Sequence, residues 1–101
     1  MSINATVAGN TATISLTGRF DFSVQRDFKE AYTPQLANVA VSVINVNLEG
    51  VDYLDSSALG MLLMLRERAA AAGKTLKLCR PSASVAQILE IANFSKLFTI
   101  A

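Results

Sequence analysis

Asp52-Tyr53-Leu54-Asp55-Ser56-Ser57-Ala58-Leu59-Gly60 joins two apolar segments of different period. Upstream, Val41-Ser42-Val43-Ile44-Asn45-Val46-Asn47-Leu48 alternates as a strand does, and downstream an Ala- and Leu-rich run to Ala72 has helical character. The stretch is therefore a strand-to-helix junction, with a carboxylate and two hydroxyls where the helix starts. A helix N-terminus carries unpaired N–H groups and a partial positive charge, so it favours capping oxygens and anions. Two readings compete: Ser56 and Ser57 cap the helix, or an exposed serine here accepts a phosphoryl group and acts as a switch.

Towards the N-terminus, residues 3–8 and 11–17 are rich in β-branched residues and flank Gly9-Asn10, a two-residue turn pair. This predicts a β-hairpin, with Ile14 and Leu16 facing the core. Gly18 is expected to break the second strand, and Ser23 to cap a helix carrying Val24, Phe28, Ala31 and Tyr32 at helical spacing. Pro34 is expected to end or kink that helix, leaving residues 35–38 for one more turn. Towards the C-terminus, Gly73-Lys74 breaks the central helix and Thr75-Leu76-Lys77-Leu78-Cys79 forms another strand. Cys79 reads there as a small core residue. Ser82 or Ser84 can cap a last helix bearing Val85, Ile88, Leu89 and Ala92. Phe94, Leu97, Phe98 and Ile100 close the chain as a short helix end and a final strand.

Strand, helix, strand in one sheet implies a right-handed parallel crossover. The expected fold is α/β: one domain over residues 1–101, with a mixed four- to five-stranded sheet built from the N-terminal hairpin plus parallel βαβ units. Three to four helices pack mainly on one of its faces. At 100° per residue, Ala58, Leu62, Leu65, Ala69 and Ala72 form the sheet-facing stripe of the central helix. Ser56, Gly60, Leu63 and Glu67 lie roughly opposite. An outward Leu63 and a flat Gly60 beside Ser56 would suit partner docking; burial of the helix on nearly all sides is the competing reading.

Composition excludes much. The chain of 101 residues has nine basic and eight acidic residues, a formal charge of +1, and no bulk attraction for nucleic acid or membrane surfaces. It has no histidine and one cysteine, which removes Ser-His-Asp and Cys-His catalysis, an internal disulfide and a plausible zinc site. No glycine-rich phosphate loop is present. No enzymatic activity, cofactor or metal is expected. Met1 to Ala8 shows neither a basic start nor a long apolar run, and no stretch approaches the ~20 apolar residues of a membrane span, so a cytoplasmic location is expected.

Three segments carry a resemblance to STAS domains, and within them to bacterial anti-sigma-factor antagonists. Leu16-Thr17-Gly18-Arg19-Phe20-Asp21 resembles the family's segment after the hairpin. Asn47 to Gly60 resembles its strand and Asp-Ser-(Ser/Thr)-Gly-Leu-Gly motif, with Ala58 where the family usually has glycine. Gly73-Lys74, the strand after it and the last helix resemble the remainder. The resemblance implies phosphorylation of Ser56 by an anti-sigma factor that is also a serine kinase of the histidine-kinase-like ATPase fold, and reversal by a serine phosphatase. It places Asp21 and Asp55 in the partner-binding surface; Ser56, Ser57, Leu59, Gly60 and Leu63 complete the expected surface. The implied function is partner switching: the unphosphorylated form sequesters the anti-sigma factor and the phosphorylated form releases it. The alternative is a constitutive, unphosphorylated STAS subunit of a larger assembly such as a lipid-transport complex.

Overall fold

The structure, a computed structural model, describes residues 2–101. Strands β1 (Ser2–Ala8) and β2 (Thr11–Phe20) form the expected hairpin, and Gly9 supplies the positive φ its two-residue turn requires. Next in the chain come helix α1 (Gln25–Ala37), strand β3 (Val43–Leu54), helix α2 (Ser56–Ala71), strand β4 (Thr75–Cys79), helix α3 (Ala83–Ile91) and strand β5 (Thr99–Ile100). The five strands lie in the order β1-β2-β3-β4-β5, antiparallel at the first pair and parallel at the other three.

Strand alternation sends one set of side chains to the core. Ala12, Ile14 and Leu16 of β2, Ile44, Val46 and Leu48 of β3, and Leu78 of β4 are essentially inaccessible. Helix α1 covers β1 and β2, α2 covers β3 and β4, and α3 covers β3. The opposite face, with Thr13, Ser15, Asn45, Asn47 and Lys77, carries no helix and is half-buried by its own neighbours. Cys79 belongs to this open face: Leu78 points into the core, so its neighbour points away, and the half-buried thiol is not the core residue expected. Burial pushes its pKa up.

Both central strands are longer than the sequence pattern indicates. Gly18 bends β2 rather than ending it, at φ +94, and the ladder with β3 slips between Ser15 and Thr17 and again between Gly18 and Arg19. Pairing then resumes to Phe20↔Leu54, which carries β3 beyond Leu48 to Leu54. Gly50 lies where β2 approaches β3 closely. A Cβ there would collide with Thr17 Cγ2 and stand 3.0 Å from the Leu16 carbonyl oxygen. Gly50→Ala is therefore expected to destabilise the domain by ~1–3 kcal/mol, as overpacking does, which a thermal melt of the two proteins would measure.

Pro34 lies inside α1 and does not end it; the helix runs one further turn to Ala37. The acceptor left without a donor is the carbonyl of Glu30, and both residues are exposed, so water can satisfy it. Ser82 caps α3, its Oγ accepting from Val85 N at 3.3 Å. Ser23 caps nothing: α1 comes after a 3-10 turn over Phe22–Val24, and the cap of that turn is Asp21.

Candidate functional site

Phe20 and Leu54 are partners in the parallel ladder, so Asp21 and Asp55 leave β2 and β3 side by side at the C-terminal edge of the sheet. The Asp55 amide donates to the Phe20 carbonyl at 3.4 Å and ties the two strand ends together.

Each aspartate caps the helical turn that begins directly after it. Asp55 has extended backbone (φ −105, ψ −177) and its Oδ1 accepts from the Ala58 amide at 2.8 Å. The serines do not cap α2: the aspartate takes that role, because its position and not theirs has non-helical backbone. Ser56 becomes the first helical residue, with an exposed side chain. Ser57 is half-buried and lines a groove between α1 and α2. Asp21 accepts from the Ser23 amide at 3.0 Å and from the Ser23 hydroxyl, with Arg19 Nε at 3.7 Å from its other oxygen.

The hydroxyl of Ser23, then its amide, hold the Asp21 carboxyl below its usual 3.8, with Arg19 adding less. A lowered folded-state value means the ordering contribution is complete above about pH 4 and is lost as pH falls through the lowered value. Acid titration is therefore expected to loosen the Phe22–Val24 turn, and Asp21→Asn should abolish that transition in a two-dimensional amide spectrum recorded against pH.

The sheet-facing stripe of α2 is buried at Ala58, Leu62, Leu65 and Ala69, while Ala72 lies past the helix end as its exposed cap. Leu59 and Leu63 are half-buried against the core, so Leu63 is not the outward residue that helical projection suggests. The reason is tertiary. The flank bearing Leu59, Leu63 and Arg66 faces the chain's last segment, where Arg66 Nε donates to the Leu97 carbonyl at 2.8 Å. The other flank, with Ser57, Gly60 and Met64, faces α1 across a groove floored by Phe28 and rimmed by Lys29 and Arg68. Gly60 is exposed, with open space above it.

Three apolar side chains at this end escape sequence reasoning: Phe22 (67% exposed), Met64 (47%) and Tyr53 (39%). Arg19 lies over the Tyr53 ring at 4.2 Å from its centroid. Tyr53 would have been legible had the strand been extended to Leu54, since alternation then turns it away from the core. Nothing local marks Phe22. Among the described residues no group of three or more His, Cys, Asp or Glu is placed to hold a metal, and no helix is long and apolar enough to cross a membrane.

A family model described as "Mlab, STAS domain" matches residues 3–99. A STAS-domain containing protein of Pseudomonas aeruginosa (strain UCBPP-PA14) is 44% identical over 94 residues, covering 91% of this chain and 89% of that protein. An anti-sigma F factor antagonist of Lysinibacillus sphaericus is 30% identical over 88 residues, covering 86% and 74%. Among solved structures, the anti-sigma factor antagonist SpoIIAA superposes in its unphosphorylated form with a TM-score of 0.81 at 22% identity, covering 99% of this chain and 88% of that one. Its phosphorylated form superposes at 0.75 and 21%, covering 99% and 91%.

Proposed function

The chain belongs to the STAS domain family, and from that premise we propose that it is an anti-sigma-factor antagonist switched by phosphorylation of Ser56. The observation that carries this reading is the division of labour at the start of α2. Asp55 supplies the cap, so the Ser56 hydroxyl is exposed and has no structural task of its own.

Ser56 Oγ attacks the terminal phosphoryl group of ATP held by the partner kinase. An O–P bond forms to serine, the bond to the ADP oxygen breaks, and the serine proton passes to a base on the kinase. A serine phosphatase returns the site with water. This chain is substrate and ligand, and none of its residues is catalytic. A phosphate brings about −1.5 to −2 charges. At the first helical position the free N–H groups and the helix dipole accommodate it, so the domain stays folded. The charge acts outward, adding to Asp21, Asp52 and Asp55 on a face completed by Ser57 and Gly60, while Leu59 and Leu63 lie half-buried on the other flank of α2. The exposed Phe22, Tyr53 and Met64 extend that face with the large side chains that dominate binding energy. A cytoplasmic site of action is part of this reading.

The test is intact-mass measurement of protein isolated from its own cells, with peptide mapping. The expected result is one phosphate on the peptide containing Ser56. Phosphate on Ser57 would shift the site by one residue. No phosphate under several growth conditions would favour a constitutive STAS subunit of a larger assembly.

A further inference from the structure

The two edges of the sheet are unlike. One ends in β5, two residues long, which blunts it against pairing with other chains. The other is β1, seven residues, SINATVA, without charge or proline. Its register with β2 runs unbroken from Ser2↔Thr17 to Ala8↔Thr11, so no bulge turns it aside. The strand itself thus carries neither the charge, the proline nor the bulge that commonly protects a sheet edge.

The pairing that would use this edge can be derived from the hairpin. A two-residue turn closes on a hydrogen-bonded pair, Ala8↔Thr11, and hydrogen-bonded pairs alternate along an antiparallel ladder. Ser2, Asn4, Thr6 and Ala8 thus spend their backbone groups on β2, whereas Ile3, Ala5 and Val7 aim theirs outward. Two copies of β1 placed antiparallel about Ala5 set Ala5 opposite Ala5 and Ile3 opposite Val7. Every outward N–H and C=O of these three residues then finds a partner, giving six backbone hydrogen bonds. The face pattern also closes: Ile3 and Val7 meet on the helix side, and Asn4 meets Thr6 on the open side. Val7, 48% exposed, enters the shallow groove lined by Ile3, Ala5 and Ala31, with Asp27 and Glu30 at its rim, on the second copy. We propose that β1 is a homodimer interface, joining two copies of this chain about Ala5 into one ten-stranded sheet. The α2 surface remains free on both copies, at opposite ends of the sheet, so the dimer presents two Ser56 sites.

Sedimentation velocity of the full chain at rising concentration tests this. Twice the monomer mass at high concentration is expected, together with concentration-dependent protection of the Ile3, Ala5 and Val7 amides from hydrogen exchange. Ala5→Pro removes only outward-facing hydrogen bonding, so it should give a folded monomer. Val7→Asp, which sets a third acid beside Asp27 and Glu30 of the second copy, should do the same and serves if the proline variant does not fold. A monomer at every concentration overturns the proposal. So does a dimer that survives in a folded Ala5→Pro or Val7→Asp protein, or one that leaves these amides unprotected.

Discussion

Phosphorylation of Ser56 is expected to weaken binding of the anti-sigma partner on the order of 100-fold, with the fold unchanged. Like charge placed at a docked surface costs several kcal/mol, and each 1.4 kcal/mol is tenfold in affinity. Ser56 stands exposed at the first position of α2, directly after its cap Asp55, so the added charge reaches the partner rather than the core. Ser56→Asp should reproduce only part of this, roughly tenfold, because one charge replaces nearly two. Ser56→Ala should bind as the unmodified protein does and accept no phosphate. Titration calorimetry of the three proteins against the isolated partner, with circular dichroism as the control for folding, separates the outcomes. Equal affinity of Ser56→Asp and unmodified protein would show that charge is not the switch, and loss of binding in a folded Ser56→Ala would place the hydroxyl itself in the contact.

Phe28→Ala should produce the largest loss of stability, about 3–5 kcal/mol as for other buried aromatic truncations. Phe28 is 1% exposed and meets Phe20 and Tyr32 edge-on at centroid distances of 5.0 and 5.3 Å. A domain of this size has only about 5–15 kcal/mol in total, so chemical denaturation should show a sharply lowered midpoint. The change also bears on function. Phe20 is the last residue of β2 and directly precedes Asp21, and its carbonyl accepts from the Asp55 amide. Emptying the space beside it releases the strand ends that hold both aspartates. Partner affinity should therefore fall in Phe28→Ala even under conditions where the domain is folded, whereas a core truncation distant from this edge, such as Leu89→Ala, should spare it.

The element types were legible in the chain because period and punctuation are local. Alternation in residues 43–48 and 75–79, helical spacing from Ala58, the Gly9-Asn10 turn and the Gly73-Lys74 break are each read within a few residues. The mixed character of the sheet and the helices on one face followed from the hairpin and the right-handed parallel crossovers, whereas the strand order is set by the pairing in the folded protein. The junction from Asp52 to Gly60 was legible for the same reason, as a change of period with polar residues at the change.

Where strands end and which hydroxyl is free were settled by contacts between segments far apart in sequence. Gly18 reads locally as a break, yet β2 continues because β3 offers it partners as far as Leu54. Leu63 reads as outward on an isolated helix, but in the fold it packs half-buried against the core, on the flank where Arg66 reaches the Leu97 carbonyl. Ser56 and Asp55 are equally good caps by residue type; the backbone at the close of β3, anchored to Phe20, gives the non-helical conformation to Asp55 and leaves the serine exposed. Local pattern specifies which elements form, since it acts through backbone preference and amphipathicity. Tertiary packing specifies which groups are spent inside the fold and which remain for a partner, since only it determines what each side chain meets.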